Sequence, residues 1–225
     1  MRVPDAIVLD LDDTLFDTAR LLVPQADARA LAALRAAGLA LDEDAARAAL
    51  RALRASGAAR PFVELARTHG VPTRDETVGE DAFQRFEVPA IRLDERVGRA
   101  LDRLHAACPL ALLTAGDVAT QQAKVERLAL RPWFTELVFV ATDARDGKTP
   151  ALRALLARRG WEPSRVVVVG DRPSTDVRAG NALGCRTVLV RAPHGEYAAQ
   201  RVVEPHDVPW REIAHVAELP ALLGF

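Results

Sequence analysis

Ala6-Ile7-Val8-Leu9-Asp10-Leu11-Asp12-Asp13-Thr14-Leu15 is an apolar, β-branched run that stops abruptly at three acids and a threonine. Residues 7–11 predict a short buried strand of a parallel sheet, where both faces are covered and alternation is lost. Open parallel sheets place their ligands outside the carboxyl ends of the strands. Asp10 and Asp12 are two residues apart and share a face, so both are expected to point into that crevice. Two like charges this close push their pKa values apart. The arrangement suits a cation held between them, or an acid and a nucleophile working as a pair. Taken alone, the cluster also reads as an ordinary turn or helix N-cap, which Asp and Thr commonly supply.

Working outward, the chain is 225 residues long and 49% hydrophobic, enough for a sizeable core in one large domain or two small ones. A formal net charge of −1 gives no global field toward nucleic acid or an anionic membrane. The two cysteines, Cys108 and Cys185, stand in apolar surroundings, which argues against a disulfide framework and for a reducing compartment. The N-terminus enters a core strand at once, with no apolar run of membrane-spanning length. The expectation is a cytoplasmic protein with no nucleic-acid or membrane partner.

Five apolar runs predict strands, at residues 7–11, 110–113, 137–140, 166–169 and 187–190. Between the later ones lie helices. Asp117 is a plausible N-cap for one reaching Leu130, Thr149-Pro150 opens a second that closes at Gly160, and residues 175–183 form a third before Gly184. Strand alternating with helix predicts an α/β fold with a doubly wound, Rossmann-like parallel sheet of five strands.

Strand one breaks this rhythm. From Phe16 to about Pro89 there is no strand candidate. Helical patterns run instead over residues 27–37, 42–55, 61–69 and 81–87, punctuated by Gly38, Gly57, Gly70 and Gly79. Such a span is too long for a loop. The predicted organisation is a catalytic α/β core of residues 1–16 and 89–225, with a helical cap of residues 17–88 inserted after strand one and able to act as a lid.

Each later strand ends in a particular polar residue. Strand two ends in Thr114-Ala115-Gly116, a hydroxyl followed by small residues whose backbone N–H groups can approach an anion. After strand three, Lys148 stands just before a helix start, where the ammonium and the helix dipole both favour negative charge. Strand four ends in Gly170-Asp171-Arg172-Pro173-Ser174-Thr175-Asp176, two further acids with four residues between them. Each alone has a dull explanation as a cap or a solvated group. Acid pair, hydroxyl, lysine and acid pair in order at four strand ends is far less common by chance.

These four motifs, Asp10-Leu11-Asp12-Asp13-Thr14, Thr114, Lys148 and Gly170-Asp171…Asp176, resemble those of the haloacid dehalogenase (HAD) superfamily, in a phosphatase-like branch with a helical cap of the C1 type. The resemblance implies that Asp10 is a nucleophile forming an aspartyl-phosphate, and that Asp12 is the general acid and then the base. Thr114, Ala115 and Lys148 hold the phosphoryl group. Mg²⁺ is held by the carboxylates of Asp10 and Asp171 and the backbone carbonyl of Asp12, and Asp176 orients Lys148 and the metal's water. The substrate would be a small phosphorylated metabolite. Asp13 stands where many members have glycine, and Arg172 and Thr175 replace a frequent serine and asparagine.

The physics agrees independently. A carboxylate attacking a phosphate meets repulsion of roughly 4 kcal/mol per charge pair at about 4 Å in an effective dielectric near 20. A hard cation and a lysine relieve it. Dehalogenation needs neither a general acid nor a metal, so Asp12, Asp171 and Asp176 argue against it. A sugar-phosphate mutase shares the whole set and stays open. A signalling receiver domain carries its phosphoacceptor on a different strand from its acid pair and has no such insert. A non-catalytic phosphate-binding scaffold is expected to lack one of the key residues. Arg54 and Arg60, flanking the bend 56–59, are candidates to meet a second anionic group, against the plainer reading of exposed helix residues. Arg158-Arg159 reads as a helix end. His105, His194, His206 and His215 have no metal spacing, and Trp133, Trp161 and Trp210 read as core or rim.

Overall fold

A computed structural model describes residues 3–56, 58, 60–141, 147–193, 195, 202 and 204–225. Gly57 and Ala59 of the expected bend, and His194, lie outside the described residues. The chain divides into two compact units, one of Met1–Arg20 with Val88–Phe225, the other of Leu21–Glu87.

The first unit holds a sheet of strands β1 (Ala6–Leu9), β2 (Leu110–Ala115), β3 (Glu136–Val140), β4 (Val166–Gly170), β5 (Arg186–Val190) and β6 (Arg211–Ile213). Their order is β3-β2-β1-β4-β5-β6, and every pairing is parallel. The expected five strands are therefore corrected to six among the described residues. Arg211-Glu212-Ile213 escaped because it carries no apolar run. It is paired on one side only and exposes its first two residues, and charge on an edge strand is tolerated.

Central β1 is buried along its whole length, which is why Ile7, Val8 and Leu9 show no alternation. From β1 the chain winds outward through β2 to β3, then returns to β4 on the other flank. The switch point between β1 and β4, where such folds bind ligands, thus coincides with Asp10.

Beyond β1 comes the short helix α1 (Thr18–Leu21), then the second unit with α2 (Val23–Ala36), α3 (Glu43–Ala55), α4 (Pro61–Thr68) and α5 (Val78–Gln84). Two of these helices start on clear local signals. Asp42 accepts the Ala45 N–H at 2.8 Å as the N-cap of α3, and Pro61 opens α4. Leu31, Leu34, Leu50, Phe62 and Leu65 form this unit's own core. Gly79 lets α5 approach α2 closely, since a Cβ there would lie 2.8 Å from Leu34 Cγ.

The first unit continues with α6 (Glu95–Ala107), α7 (Val118–Arg127), α8 (Thr149–Arg159), α9 (Arg178–Ala182) and α10 (Leu219–Leu223). Ala6, Val8, Ala111, Leu113, Val166 and Val168, alternate residues of the strands, pack on Leu152, Leu155 and Leu156 of α8 and on Ala179 of α9. Asp117 caps α7 by accepting the Thr120 N–H at 2.9 Å, and Gly160 ends α8 at φ +65°. The third helix expected in this unit, over 175–183, instead begins as a π turn at Pro173–Val177 before α9. Among the described residues no helix is long and apolar enough to cross a membrane. Cys108 and Cys185 are buried and unpaired, and burial pushes both thiols up to about 11.

Candidate active site

Asp10 leaves β1 while still held to the sheet, its N–H donating to the Val169 carbonyl at 2.9 Å. Lys148, immediately before α8, reaches Asp10 Oδ1 and Asp176 Oδ1 with the same Nζ, 2.6 Å from each. Asp176, in the π turn after β4, also accepts the Arg172 N–H on Oδ2 at 3.1 Å. Asp171 follows β4, and carboxylate oxygens of Asp10, Asp171 and Asp176 lie within 4.8 Å of one another. All four side chains are buried.

Three carboxylates against one ammonium leave two uncompensated negative charges. Burial, reinforced by Asp176 and Asp12 against the opposing pull of Lys148, pushes the Asp10 carboxyl up to about 7. Burial and the neighbouring charges of Asp10 and Asp176 hold Asp171 well above the ordinary range. Lys148 is shifted the other way. Burial would lower it, but Asp10 and Asp176 outweigh that and raise it. The donor set is hard oxygen with a charge deficit equal to one divalent cation, so these residues fit an ion of the Mg²⁺ class.

Asp12 faces different neighbours. Its Oδ1 accepts from Thr18 Oγ1 at 2.5 Å and from Lys124 Nζ at 2.7 Å, and its Oδ2 accepts from Gln121 Nε2 at 2.8 Å. Burial would raise this carboxyl, but the charge and hydrogen bond of Lys124, with Thr18 and Gln121, hold it below its ordinary value. The two acids of the opening motif thus have opposite shifts. The carboxylates that could together hold a metal ion are those of Asp10, Asp171 and Asp176, and the Asp12 carboxylate is turned to Lys124 instead.

Thr114, next to last in β2, is buried, its Oγ1 accepting from Gln121 Nε2 at 2.7 Å. Ala115 is exposed at the strand tip. The Gly116 N–H, expected to approach an anion, donates to the Val140 carbonyl at 2.9 Å and extends the β2–β3 ladder. Asp13 adopts φ +52°, the left-handed region that favours glycine and that Asp tolerates. Its Oδ1 accepts the Ala19 N–H at 2.8 Å, so the acid stabilises locally a turn that glycine would enter freely.

Lys124, Gln121 and Thr18 are missing from the residues expected at this site. The available signal was Gln121 and Lys124 sharing a helix face with Val125 and Leu128, two polar side chains on an otherwise core-facing stripe. Arg54 does not supply a spare cation. Its guanidinium donates to both Asp27 carboxylate oxygens at 2.7 Å and lies 5.6 Å from the ring centroids of Phe62 and Phe83. Arg60 is exposed. Trp133 donates to Asp102 at 2.8 Å, and His215 caps the turn before α10.

A family model described as haloacid dehalogenase-like hydrolase matches residues 4–184. The chain is 27% identical over 223 residues to the glyceraldehyde 3-phosphate phosphatase of Methanopyrus kandleri, covering 95% of this chain and 94% of that one. It is 30% identical over 132 residues to the N-acylneuraminate-9-phosphatase of Homo sapiens, covering 58% of this chain and about half, 52%, of the relative. Among solved structures it superposes on the HAD-hydrolase YfnB of Bacillus subtilis, determined bound to magnesium, with a TM-score of 0.66, 16% identity and 100% coverage of both chains. At that identity the likeness speaks for the fold.

Proposed function

The chain belongs to the haloacid dehalogenase-like hydrolases, and from that membership we propose that it hydrolyses the phosphomonoester of a small metabolite through a phosphorylated Asp10. The observation that carries the reading is the split between the two acids of the opening motif. Asp10 lies against Lys148 in an acidic, buried cluster, and Asp12 is set apart on Lys124, Gln121 and Thr18. The two carboxylates meet different partners, one in a cluster that could hold a metal ion and one on a lysine, an amide and a hydroxyl, and that separation suits two roles. The names of the relatives support a phosphorylated substrate.

Asp10 attacks phosphorus as the bond to the leaving oxygen breaks, and Asp12 delivers a proton to that oxygen. Water then attacks the phosphorylated Asp10, giving its proton to Asp12, and the electron pair of the acyl phosphate returns to the Asp10 carboxylate. Lys148 and the Thr114 hydroxyl hold phosphoryl oxygens. Thr114 spends an acceptor lone pair on Gln121, which leaves its O–H as the donor toward a phosphoryl oxygen. Mg²⁺ would be held by Asp10, Asp171 and the Asp12 backbone carbonyl, with Asp176 oriented behind Lys148, and when bound it supplies charge neutralisation at the transferring group. The helical unit, entered by the chain directly after β1 and α1, is assigned the selection of substrate.

The test is phosphate release from a panel of phosphorylated metabolites, including glyceraldehyde 3-phosphate and N-acylneuraminate 9-phosphate, with and without chelation. Stoichiometric release, abolished by EDTA and restored by Mg²⁺, is expected. Full activity after rigorous chelation would refute the metal dependence. Positional isomerisation with little free phosphate would make the protein a mutase instead.

A further inference from the structure

We propose that Lys124 is a positioning residue that, with Thr18 and Gln121, fixes the Asp12 carboxyl so that Oδ2 is the oxygen exchanging the proton with the leaving group and with water. The inference rests on the phosphatase reading above. A carboxylate offers two lone pairs on each oxygen. Thr18 and Lys124 both donate to Oδ1, at 2.5 and 2.7 Å, and fill it. Gln121 donates to Oδ2 at 2.8 Å and leaves one lone pair there for a proton.

Exposure separates the roles. The Asp12 side chain keeps 29% of its surface open, against 6% for Lys124. A substrate oxygen can therefore meet Asp12, while Lys124 is sealed behind it and acts only through it. Gln121 adds register. The same Nε2 lies 2.8 Å from Asp12 Oδ2 and 2.7 Å from Thr114 Oγ1, so one amide spaces the proton-transfer group from the phosphoryl-binding hydroxyl. Both residues come from α7, whose start is fixed by the Asp117 cap. A helix is a stiffer mount than a loop for a group whose misplacement by an ångström is costly.

In the proton ledger Oδ2–H protonates the departing alkoxide as its bond to phosphorus breaks. Oδ2 then takes one proton from the water that forms the new bond to phosphorus. Lys124 keeps its protons throughout.

The experiment uses leaving groups. An alkyl phosphate needs proton delivery, whereas p-nitrophenyl phosphate departs as a stable phenolate and does not. For the intact Lys124→Met protein, kcat/KM is expected to fall about 10²-fold or more on an alkyl phosphate, within the usual range for general acid catalysis, and less than about tenfold on p-nitrophenyl phosphate. Lys124→Arg should recover part of the alkyl phosphate loss. Gln121→Leu, a milder change should Lys124→Met fail to fold, is expected to show the same asymmetry with a smaller loss. Equal proportional losses on both substrates in the folded variants would overturn the positioning role while leaving the phosphatase reading intact. A wild-type protein inactive on every phosphomonoester would overturn both.

Discussion

Gly170→Ala is expected to damage the site from behind. A Cβ on Gly170 would lie 2.3 Å from Asp176 Cγ, 2.4 Å from its Cβ and 2.5 Å from its Oδ2, where ordinary contact begins at 3.4 Å. The carboxyl must therefore retreat by about 1.1 Å (3.4 − 2.3), from a position where Lys148 Nζ stands 2.6 Å away. Overpacking of this kind costs about 1–3 kcal/mol, and losing a charge-assisted hydrogen bond costs about 1.5–3 kcal/mol. Together these come to about 4 kcal/mol. At about 2–4 °C per kcal/mol for a chain of this size, the melting temperature falls by about 8–16 °C. With Lys148 held by Asp10 alone, kcat/KM should fall about 10- to 100-fold, at 1.36 kcal/mol per decade. The internal control is Gly98→Ala in α6, where an added Cβ meets nothing within 4 Å and alanine in a helix stabilises by about 0.5–1 kcal/mol. Thermal denaturation and phosphate-release kinetics read both variants. A Gly170→Ala protein as stable and active as the Gly98→Ala control would refute the account of how Asp176 is seated.

Two further outcomes test the electrostatics and the helical unit. Asp10 titrates near 7 when folded against 3.8 as a free carboxyl, so between those pH values the folded state keeps a proton the unfolded chain has released. The stability of metal-free wild type relative to Asp10→Asn should therefore fall as pH rises from about 4 to about 7 and level off above, since a raised acid pKa disfavours folding where the unfolded group is ionised. Chemical denaturation at pH 5 and 8 measures it, and a rise in that difference contradicts the shift. Arg54→Met should cost about 1–3 kcal/mol, because it strands the half-buried Asp27 and removes the contacts with Phe62 and Phe83. The order of substrates should not change, and an altered ranking in a stable variant would give Arg54 a role in recognition.

Much of the fold and of the candidate site was legible because the features had local causes. Ile7–Leu9 is buried on both faces, and its apolar run ends where the sheet ends, so the run and Asp10 mark the strand and its ligand side together. Lys148 was legible from its place before a helix start, although its side chain closes on carboxylates from β1 and from beyond β4. What escaped depends on distant partners. Gln121 and Lys124 are ordinary polar helix residues until α7 packs on β2 and β3 and brings them to Asp12, more than a hundred positions away in sequence. β6 is charged and short, and exists because β5 offers it an open edge. The Gly116 amide looked available, but the ladder to β3 runs one residue past Thr114-Ala115 and takes it. Asp13 explains itself only through its left-handed backbone and the N–H it accepts.

The proposed reaction turns on Asp10 as the nucleophile that takes the phosphoryl group. The direct measurement is Mg²⁺-dependent phosphate release by wild type and by Asp10→Asn, with the variant's fold checked by circular dichroism and its stability by denaturation. An amide is a far weaker nucleophile than a carboxylate, so the account predicts a folded variant slowed by about 10³-fold or more, about 4 kcal/mol of barrier. An Asp10→Asn protein releasing phosphate near the wild-type rate would contradict it.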